Sequence, residues 1–318
     1  MGCGAGAFAG LVGRCPAIES LRQEIRQVAP SEARVHVFGE TGTGKERVAR
    51  ALHDLSPRAP RPFVPLNAAG IGDDLLLGEL FGSARGAYTG AAVARDGYIA
   101  AAEGGTLFID EVAELSPLAQ ARLLRFLQEK EYQRLGETVV RKANVRVVSA
   151  TNVDLPRRVA EGRFRDDLWF RLKVERLVVP PLRERGSDVL MLARHFLALE
   201  ASRSGALTPR LLPDAEDALV AHPWPGNVRE LEHEMHRLVV RAPGRTVARD
   251  ELSAEIAEAA EPCGTLRAAM QRAECKLLVS TLARHHGRQA SAAAELGITR
   301  QALWAKLRRL GVSPHEHA

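Results

Sequence analysis

The chain has 318 residues, of which 46% are hydrophobic and 26% are charged, and its formal net charge is +5. The length exceeds one typical domain and the composition is that of an ordinary water-soluble protein, which predicts two or three domains. Four cysteines without C-x-x-C spacing argue against a disulfide framework and a zinc site, and no apolar segment is long enough to span a membrane. We therefore expect a cytoplasmic protein.

Short apolar segments alternate with amphipathic stretches from about residue 10 to about residue 180. The clearest apolar segments are residues 35–38, 106–109 and 145–148. This alternation predicts an α/β domain with a largely parallel sheet. We place this domain at residues 8–178.

A glycine-rich loop follows the first predicted strand and precedes a predicted helix. It has the pattern G-x-x-x-x-G-K, in which glycines let backbone N–H groups turn toward phosphate oxygens and Lys45 reaches the outer phosphates. The sequence therefore predicts a nucleotide site. The next position, usually a Ser or Thr that binds magnesium, is Glu46. The predicted nucleotide-binding positions are Gly39, Glu40, Thr41, Gly42, Thr43, Gly44, Lys45 and Glu46.

Polar side chains follow the next two predicted strands. Asp110 and Glu111 end the strand of residues 106–109, where Asp110 can hold Mg²⁺ through water and Glu111 can polarise an attacking water. Thr151 and Asn152 reach the same edge of the sheet, where they either sense the γ-phosphate or cap a turn. After this loop and strand, the acidic pair predicts phosphoryl hydrolysis rather than a solvated surface.

The β-like segments stop after residue 178, and helical spacing follows. We predict a helical domain at residues 179–242. Residues 243–264 are rich in Ala and Glu, with Pro and Gly near both ends, and are predicted to be a linker that contains a short helix. A last helical unit is predicted at residues 265–318.

Basic residues gather in this last unit, since residues 263–318 contain nine Lys or Arg and three Glu. Gly297 lies in a predicted turn between two helices, Thr299 can cap the second helix, and Leu303 and Leu307 bury one side of it. Arg and Gln can read base edges, and Lys and Arg can bind phosphates, although such a helix can also be merely solvated. The candidate DNA-binding residues are Thr299, Arg300, Gln301, Trp304, Lys306, Arg308 and Arg309.

These motifs, in this order, resemble the AAA+ activators of sigma-54 RNA polymerase, also called bacterial enhancer-binding proteins. The resemblance covers nearly the whole chain and implies an AAA+ P-loop fold, with a parallel sheet, a helical lid and a C-terminal Fis-type helix-turn-helix. It also implies ATP as the nucleotide, and Glu46 is usual in this family. The segments that carry it are LVGRCPAIES, GETGTGKE, ELFGSARGAYTGA, EGGTLFIDEV, RVVSATN, GRFRDDLWFRLKV, PPLRERGSDV and WPGNVREL.

The segment G-A-Y-T-G-A resembles the family's G-A-F-T-G-A loop, which rises from the surface of a hexamer and grips the sigma-54 factor. Tyr88 keeps the aromatic face and adds a hydroxyl. Glycines permit large φ/ψ changes, which suits a loop that moves with nucleotide state. Read without the family, the segment is an ordinary surface turn. The predicted sigma-54-binding residues are Gly86, Ala87, Tyr88, Thr89, Gly90 and Ala91.

The resemblance also assigns roles to residues outside the main motifs. Asn67 resembles the asparagine that restrains the catalytic glutamate, here Glu111. Arg165 and Arg171 resemble the arginines that a neighbouring subunit offers to the γ-phosphate, although by themselves they could be surface ion pairs. Arg229 resembles the lid arginine that contacts bound nucleotide, or is simply a helix-start residue.

The resemblance implies a hexameric ATPase that binds double-stranded enhancer DNA through dimeric C-terminal units. Such a ring remodels the closed sigma-54 polymerase–promoter complex into an open one. Two rival functions are a DNA-binding regulator with this fold that acts on other polymerase forms, and a remodeller of unrelated proteins. The intact G-A-Y-T-G-A segment argues against the first, and the basic C-terminal unit argues against the second. Few residues precede the α/β domain, so we expect control by a separate protein or by expression level, unless the chain is a truncated form.

Overall fold

The computed structural model describes residues 8, 10–87, 93–258 and 288–309, together with residues 274, 277, 278, 281, 284 and 285; for residues 308 and 309 it describes the backbone only. The chain divides into two compact units. The first comprises Met1–Leu192 and Trp224–Glu232, and the second comprises Ala193–Pro223 and His233–Ala318.

A five-stranded parallel sheet forms the centre of the first unit in the part that is described. Its strands lie in the order β2-β3-β4-β1-β5, and every neighbouring pair is parallel. The predicted α/β architecture with a parallel sheet is therefore confirmed. The strands are β1 (Val35–Phe38), β2 (Phe63–Asn67), β3 (Thr106–Asp110), β4 (Arg146–Thr151) and β5 (Glu175–Val178).

Helices connect these strands. Several of them begin with proline at the first turn, where its missing N–H is not needed, and Ser116 caps α5 by accepting a hydrogen bond from the Ala119 N–H (3.4 Å). A short antiparallel pair, Glu131–Tyr132 with Arg141–Lys142, follows α5. The helices are α1 (Pro16–Val28), α2 (Lys45–Asp54), α3 (Asp73–Phe81), α4 (Tyr98–Ala101), α5 (Pro117–Glu129), α6 (Leu155–Ala160) and α7 (Asp166–Leu172).

Two apolar clusters cover the two faces of the sheet. Val35, Val37 and Phe108 belong to the cluster that includes α1 and α2, whereas Leu107 and Ile109 belong to the cluster that includes α3, α5 and α7. Successive residues of β3 thus face opposite clusters, as the two-residue period of a strand requires. A strand buried on both faces reads as a continuous apolar segment, which is how β3 appears in the sequence.

A buried histidine lies in the central strand of this sheet. His36 is 1% exposed, its Nδ1 lies 3.0 Å from Ser149 Oγ, and its ring meets the Trp169 ring edge-on with centroids 5.1 Å apart. Burial, together with the nearby charges of Arg176 and Lys173, lowers the pKa of His36 to about 4. The native protein therefore holds this imidazole neutral at pH values where the unfolded chain protonates it.

This pKa predicts a loss of stability in mild acid. The pKa of His36 is lower in the folded protein than in the unfolded chain. Its contribution to the free energy of unfolding is therefore fully present above about pH 6.5, and it is lost as pH falls through the folded pKa of about 4. We expect the free energy of unfolding to drop on the order of 3 kcal/mol over that window from His36 alone. Denaturant unfolding at several pH values measures it. His36→Gln should flatten this part of the profile, with the exposed His195→Gln as control; an unchanged slope in His36→Gln would contradict the assignment.

Two helices, α8 (Asp188–Ser204) and α10 (Asn227–Arg241), begin in the first unit and end in the second. The second unit also contains α9 (Pro213–Ala221) and α11 (Ala254–Glu258). It is not entirely helical, because Arg210–Leu211 and Thr246–Val247 pair as short parallel strands. Among the described residues, no helix combines the length and the apolar character needed to cross a lipid bilayer.

The predicted linker at residues 243–264 is packed into the second unit over its described part. Val247, Leu252 and Ile256 are buried, and the short helix expected there is α11. The buried Glu234 carboxylate anchors the segment by accepting a hydrogen bond from the Ser253 N–H (3.0 Å). Residues 246–258 therefore form part of a folded unit and are not merely a connection between units. Their composition alone does not indicate this packing. The domain boundaries themselves remain predictions.

Near the end of the chain, α12 (Gln289–Glu295) and α13 (Arg300–Arg309) are joined by a tight turn. Gly297 takes φ 65°, which a glycine adopts without strain, and Thr299 Oγ1 accepts a hydrogen bond from the Ala302 N–H (3.2 Å). Both features match the sequence-based expectation. Leu303 and Leu307 are buried in a small cluster with α12, whereas Leu310 lies outside the described residues.

Candidate nucleotide site

The glycine-rich loop lies between β1 and α2, at the carboxyl edge of the sheet. Gly42 and Gly44 adopt φ 78° and 98°, in the left-handed region that favours glycine. A Cβ on Gly42 would lie 2.2 Å from the carbonyl oxygen of Gly226, so this position has no room for a side chain. The loop therefore has the conformation and the close backbone packing for which its glycines are needed.

Lys45, the first residue of α2, is buried and points back along this edge. Its Nζ donates to the Gly39 carbonyl oxygen (3.2 Å) and to Glu111 Oε1 (3.3 Å). Glu111 takes φ 51°, and its N–H donates to Asp110 Oδ1 (3.0 Å). The structure thus brings together the lysine of the loop and the two carboxylates at the carboxyl end of β3, Asp110 within the strand and Glu111 directly after it.

The end of β4 completes this group. Thr151 Oγ1 donates to Glu111 Oε2 (3.3 Å), and the Asn152 N–H approaches the same oxygen (3.4 Å). The Asn152 side-chain amide donates to Thr41 Oγ1 (2.8 Å). Thr151 and Asn152 therefore contact both the glutamate and the loop, because the carboxyl ends of parallel strands meet at one edge of the sheet.

Asp110 is partly buried and lies close to the charges of Lys45 and Glu111. Burial raises the pKa of Asp110, the charge of Glu111 adds to that rise, and Lys45 opposes it. A cation beside Asp110 would favour its charged form. In the described part of the chain, no group of three or more His, Cys, Asp or Glu side chains could hold a metal ion alone. Mg²⁺ here would thus take further ligands from phosphate oxygens and water.

Arg229, the predicted lid arginine, lies in the first turns of α10, which belong to the first unit. Its backbone N–H donates to the Gly42 carbonyl oxygen (3.2 Å), so it is adjacent to the loop. Two further residues at the loop were not singled out from the sequence. These are Arg183, which pairs with Glu40, and Asn227, which bonds Glu40 and Thr41. For Asn227, the Pro-Gly turn that precedes it is the sequence feature that could have drawn attention to this position.

Other predicted residues stand apart from this group in the single chain. Asn67 lies beside Asp110 in the sheet register, but its Oδ1 accepts a hydrogen bond from the Ala69 N–H (2.9 Å), and Glu111 takes its partners elsewhere. Arg165 pairs with Asp167 (2.8 Å) at the start of α7, and Arg171, on the same helix, is exposed. The assigned roles of Asn67, Arg165 and Arg171 therefore remain predictions.

The base of the segment G-A-Y-T-G-A is anchored to the hairpin that follows α5. The Ala84 N–H donates to the Leu135 carbonyl oxygen, and the Leu135 N–H donates to that of Gly82, both at 2.9 Å. Gly86 has φ 79°, and the Ala87 N–H closes a turn onto Ala84 (3.2 Å). The remaining loop residues lie outside the described part of the chain, namely Tyr88, Thr89, Gly90 and Ala91.

On α13, three of the residues expected to meet DNA are exposed. Arg300 and Gln301 are exposed, and Trp304 is 49% exposed. Lys306 pairs with Glu274, so its ammonium group already has a partner in the chain. The Arg308 and Arg309 side chains lie outside the described residues.

Models of three protein families match the chain in succession. Residues 11–178 match the sigma-54 interaction domain, residues 183–269 the AAA+ ATPase lid domain, and residues 269–310 the Fis family of bacterial regulatory proteins. The first match alone covers more than half of the chain. The chain belongs to the sigma-54-dependent transcriptional activators. This sigma-54 activator therefore has an AAA+ ATPase domain and a Fis-type helix-turn-helix, as the sequence predicted.

Individual relatives agree with this assignment. The transcriptional regulatory protein ZraR of Escherichia coli K12 is 44% identical over 302 residues, which cover 94% of this activator and 68% of ZraR. Crystal structures of NtrX from Brucella abortus share 37% identity. The ADP complex has a TM-score of 0.74 and covers 95% of this activator and 70% of that chain. The ATP complex has a TM-score of 0.73, with 95% and 69% covered.

Proposed function

We propose that this activator is a ring-forming ATPase that binds enhancer DNA and uses ATP hydrolysis to remodel a closed sigma-54 polymerase–promoter complex into an open one. The observation that carries the proposal is the meeting of Lys45, Asp110, Glu111 and Thr151 at the glycine-rich loop. In this proposal, ATP hydrolysis at that site drives the movement of the G-A-Y-T-G-A segment.

ATP binds at residues 39–46 in this proposal, with Mg²⁺ held near Asp110. The complexes of NtrX with ATP and ADP support the assignment, because NtrX shares the fold. When ATP binds, the Lys45 ammonium group would leave Gly39 and Glu111 and contact the outer phosphates instead. Glu111, held by Thr151 and the Asn152 N–H, would then accept a proton from the attacking water.

The arginines of α7 would act on a neighbouring subunit. Arg165 is about half exposed and Arg171 is exposed, so both can approach a second copy. A positive charge delivered between subunits stabilises the charge of the phosphoryl transition state. Hydrolysis would consequently depend on assembly, for which we propose a hexamer. Asn67, adjacent to Asp110 in the sheet, would couple Glu111 to the bound partner.

The segment of residues 86–91 would contact sigma-54 through the Tyr88 ring. The base of the segment is hydrogen bonded to the hairpin after α5, so the segment would extend from an anchored position. The exposed residues of α13 would place the ring at its DNA site. Arg300 and Gln301 would read base edges, Trp304 would offer an apolar contact, and the basic residues that follow would meet phosphates.

The Tyr88 side chain provides the experiment that tests the proposal. Tyr88→Ala should weaken nucleotide-dependent binding to isolated sigma-54 about fivefold or more, because an aromatic contact at a desolvated site contributes about 1 kcal/mol or more. Tyr88→Phe is the matched control and should bind normally, since it lacks only the hydroxyl. Both variants should hydrolyse ATP at the normal rate. Undiminished sigma-54 binding by Tyr88→Ala would contradict the role of this segment.

A further inference from the structure

One buried amide connects three separate segments around the glycine-rich loop. Asn227 is fully buried, at the first position of α10, and has φ 54°. Its Oδ1 accepts a hydrogen bond from the Leu182 N–H (2.8 Å), and its Nδ2 donates to Glu40 Oε2 and to the Thr41 carbonyl oxygen, both at 3.1 Å. The amide thus uses both its donor and its acceptor capacity on other segments.

The Glu40 carboxylate is held from a second side by Arg183. Two guanidinium nitrogens of Arg183 donate to its two oxygens, at 2.6 and 2.8 Å. Hydrogen bonds from Arg183, and then from Asn227, lower the pKa of Glu40 to about 2. Both side chains of the ion pair are nearly half exposed, so its main effect is to fix the geometry of the bidentate contact rather than to add stability.

The backbone of the same turn rests against the loop. The Arg229 N–H donates to the Gly42 carbonyl oxygen (3.2 Å), and the Gly226 carbonyl oxygen leaves no room for a Cβ on Gly42. Three consecutive loop residues, 40–42, are therefore hydrogen bonded to the turn that starts α10. Moving that turn would displace Arg229 and the loop relative to each other.

We propose that Asn227 is a positioning residue for ATP, which holds the start of α10 against the loop so that Arg229 reaches the bound phosphates. This inference rests on the proposed ATP site and on the role of Arg229 as the lid arginine, which the sequence resemblance assigns. Asn227 touches no nucleotide in this role and acts through Arg229. If the only role of Asn227 were to adopt the left-handed conformation at the helix start, its hydrogen bonds to Glu40, Thr41 and Leu182 would not be needed.

A double-mutant cycle on ATP affinity separates the two roles. Calorimetric titration with ATP and Mg²⁺ is made in a Glu111→Gln background, so that nucleotide is not consumed. Asn227→Gly keeps the left-handed backbone without strain and removes the side-chain hydrogen bonds to Leu182, Glu40 and Thr41, so we expect the Kd for ATP to rise about tenfold. Added to Arg229→Ala, it should raise the Kd by much less than tenfold.

Each result of the cycle is decisive. An unchanged Kd in Asn227→Gly, or an undiminished tenfold effect in the double variant, would overturn the inference and leave the ATP site standing. No ATP binding by the Glu111→Gln parent would instead overturn the proposed function, and the inference with it. Glu184→Gln is the matched control, because it removes an exposed carboxylate beside Arg183 that does not contact the loop, and it should bind ATP normally.

If Asn227→Gly does not fold, Asn227→Asp takes its place. It preserves the acceptor for Leu182 but sets a carboxylate against Glu40, so ATP affinity should fall. Glu40→Gln in the same chain should restore part of that affinity, because an amide at position 40 can donate to the new carboxylate. Failure of this exchange to restore any binding would overturn the proposed contact.

Discussion

Glu111→Gln is expected to lower ATP turnover roughly 10²–10⁴-fold while leaving ATP binding largely intact. The amide keeps the shape of the side chain and can still contact Thr151 and the Asn152 N–H, but it cannot accept a proton from water. Lys45→Ala should instead weaken binding itself, because the ammonium group that reaches the phosphates is lost. Steady-state hydrolysis and a separate titration with ATP distinguish the two effects.

The adjacent Glu114 supplies the control for this experiment. It is exposed, follows Glu111 by one helical turn and pairs with Arg158 at 3.5 Å, so Glu114→Gln changes the same chemical group away from the loop. That variant should hydrolyse ATP normally. Normal turnover by Glu111→Gln would remove this glutamate from the mechanism.

Two inactive variants are expected to restore activity when they are mixed. Arg165→Ala and Glu111→Gln should each hydrolyse ATP poorly, because one lacks the arginine offered to a neighbour and the other lacks the base. In a mixed ring, an Arg165→Ala subunit with an intact Glu111 can lie next to a Glu111→Gln subunit with an intact Arg165. That interface contains every group that the reaction needs. ATPase rate measured across mixing ratios should pass through a maximum.

The same mixing experiment with a nearby arginine is its control. Arg163 is exposed and pairs with Glu161 at 3.7 Å, so Arg163→Ala should be active alone and should show no maximum on mixing. Proven subunit exchange without recovery in the Arg165→Ala mixture would contradict an arginine that acts between subunits.

The strands that line the site were predictable where they are buried on both faces. Residues 35–38 coincide with β1, and residues 106–109 match β3 to within one residue, because each segment is mostly apolar and is followed directly by Gly39 or Asp110. β2 was not proposed as a strand from its pattern. It contains Pro65 and lies at the sheet edge, where proline is tolerated but the sequence signal is weak.

The grouping of Lys45, Glu111 and Thr151 was also predictable, because one rule places the carboxyl ends of parallel strands at a common edge. The contacts of Glu40 with Arg183 and Asn227 were not, since they join residues that are 143 and 187 positions apart and follow no local pattern. Likewise, no helix spacing reveals that Lys306 pairs with Glu274 rather than remaining free for phosphate. The local sequence pattern was enough to predict the glycine-rich loop, whereas the residues that contact it from distant parts of the chain depend on tertiary packing.

Promoter opening by purified components is the decisive assay for the proposed function. The reaction contains the activator, sigma-54 polymerase, ATP with Mg²⁺ and a sigma-54 promoter, and strand separation at the start site is measured. We predict opening with ATP, and none with a non-hydrolysable ATP analogue or with Glu111→Gln. Opening without hydrolysis, or active hydrolysis with a promoter that stays closed, would contradict the proposed function.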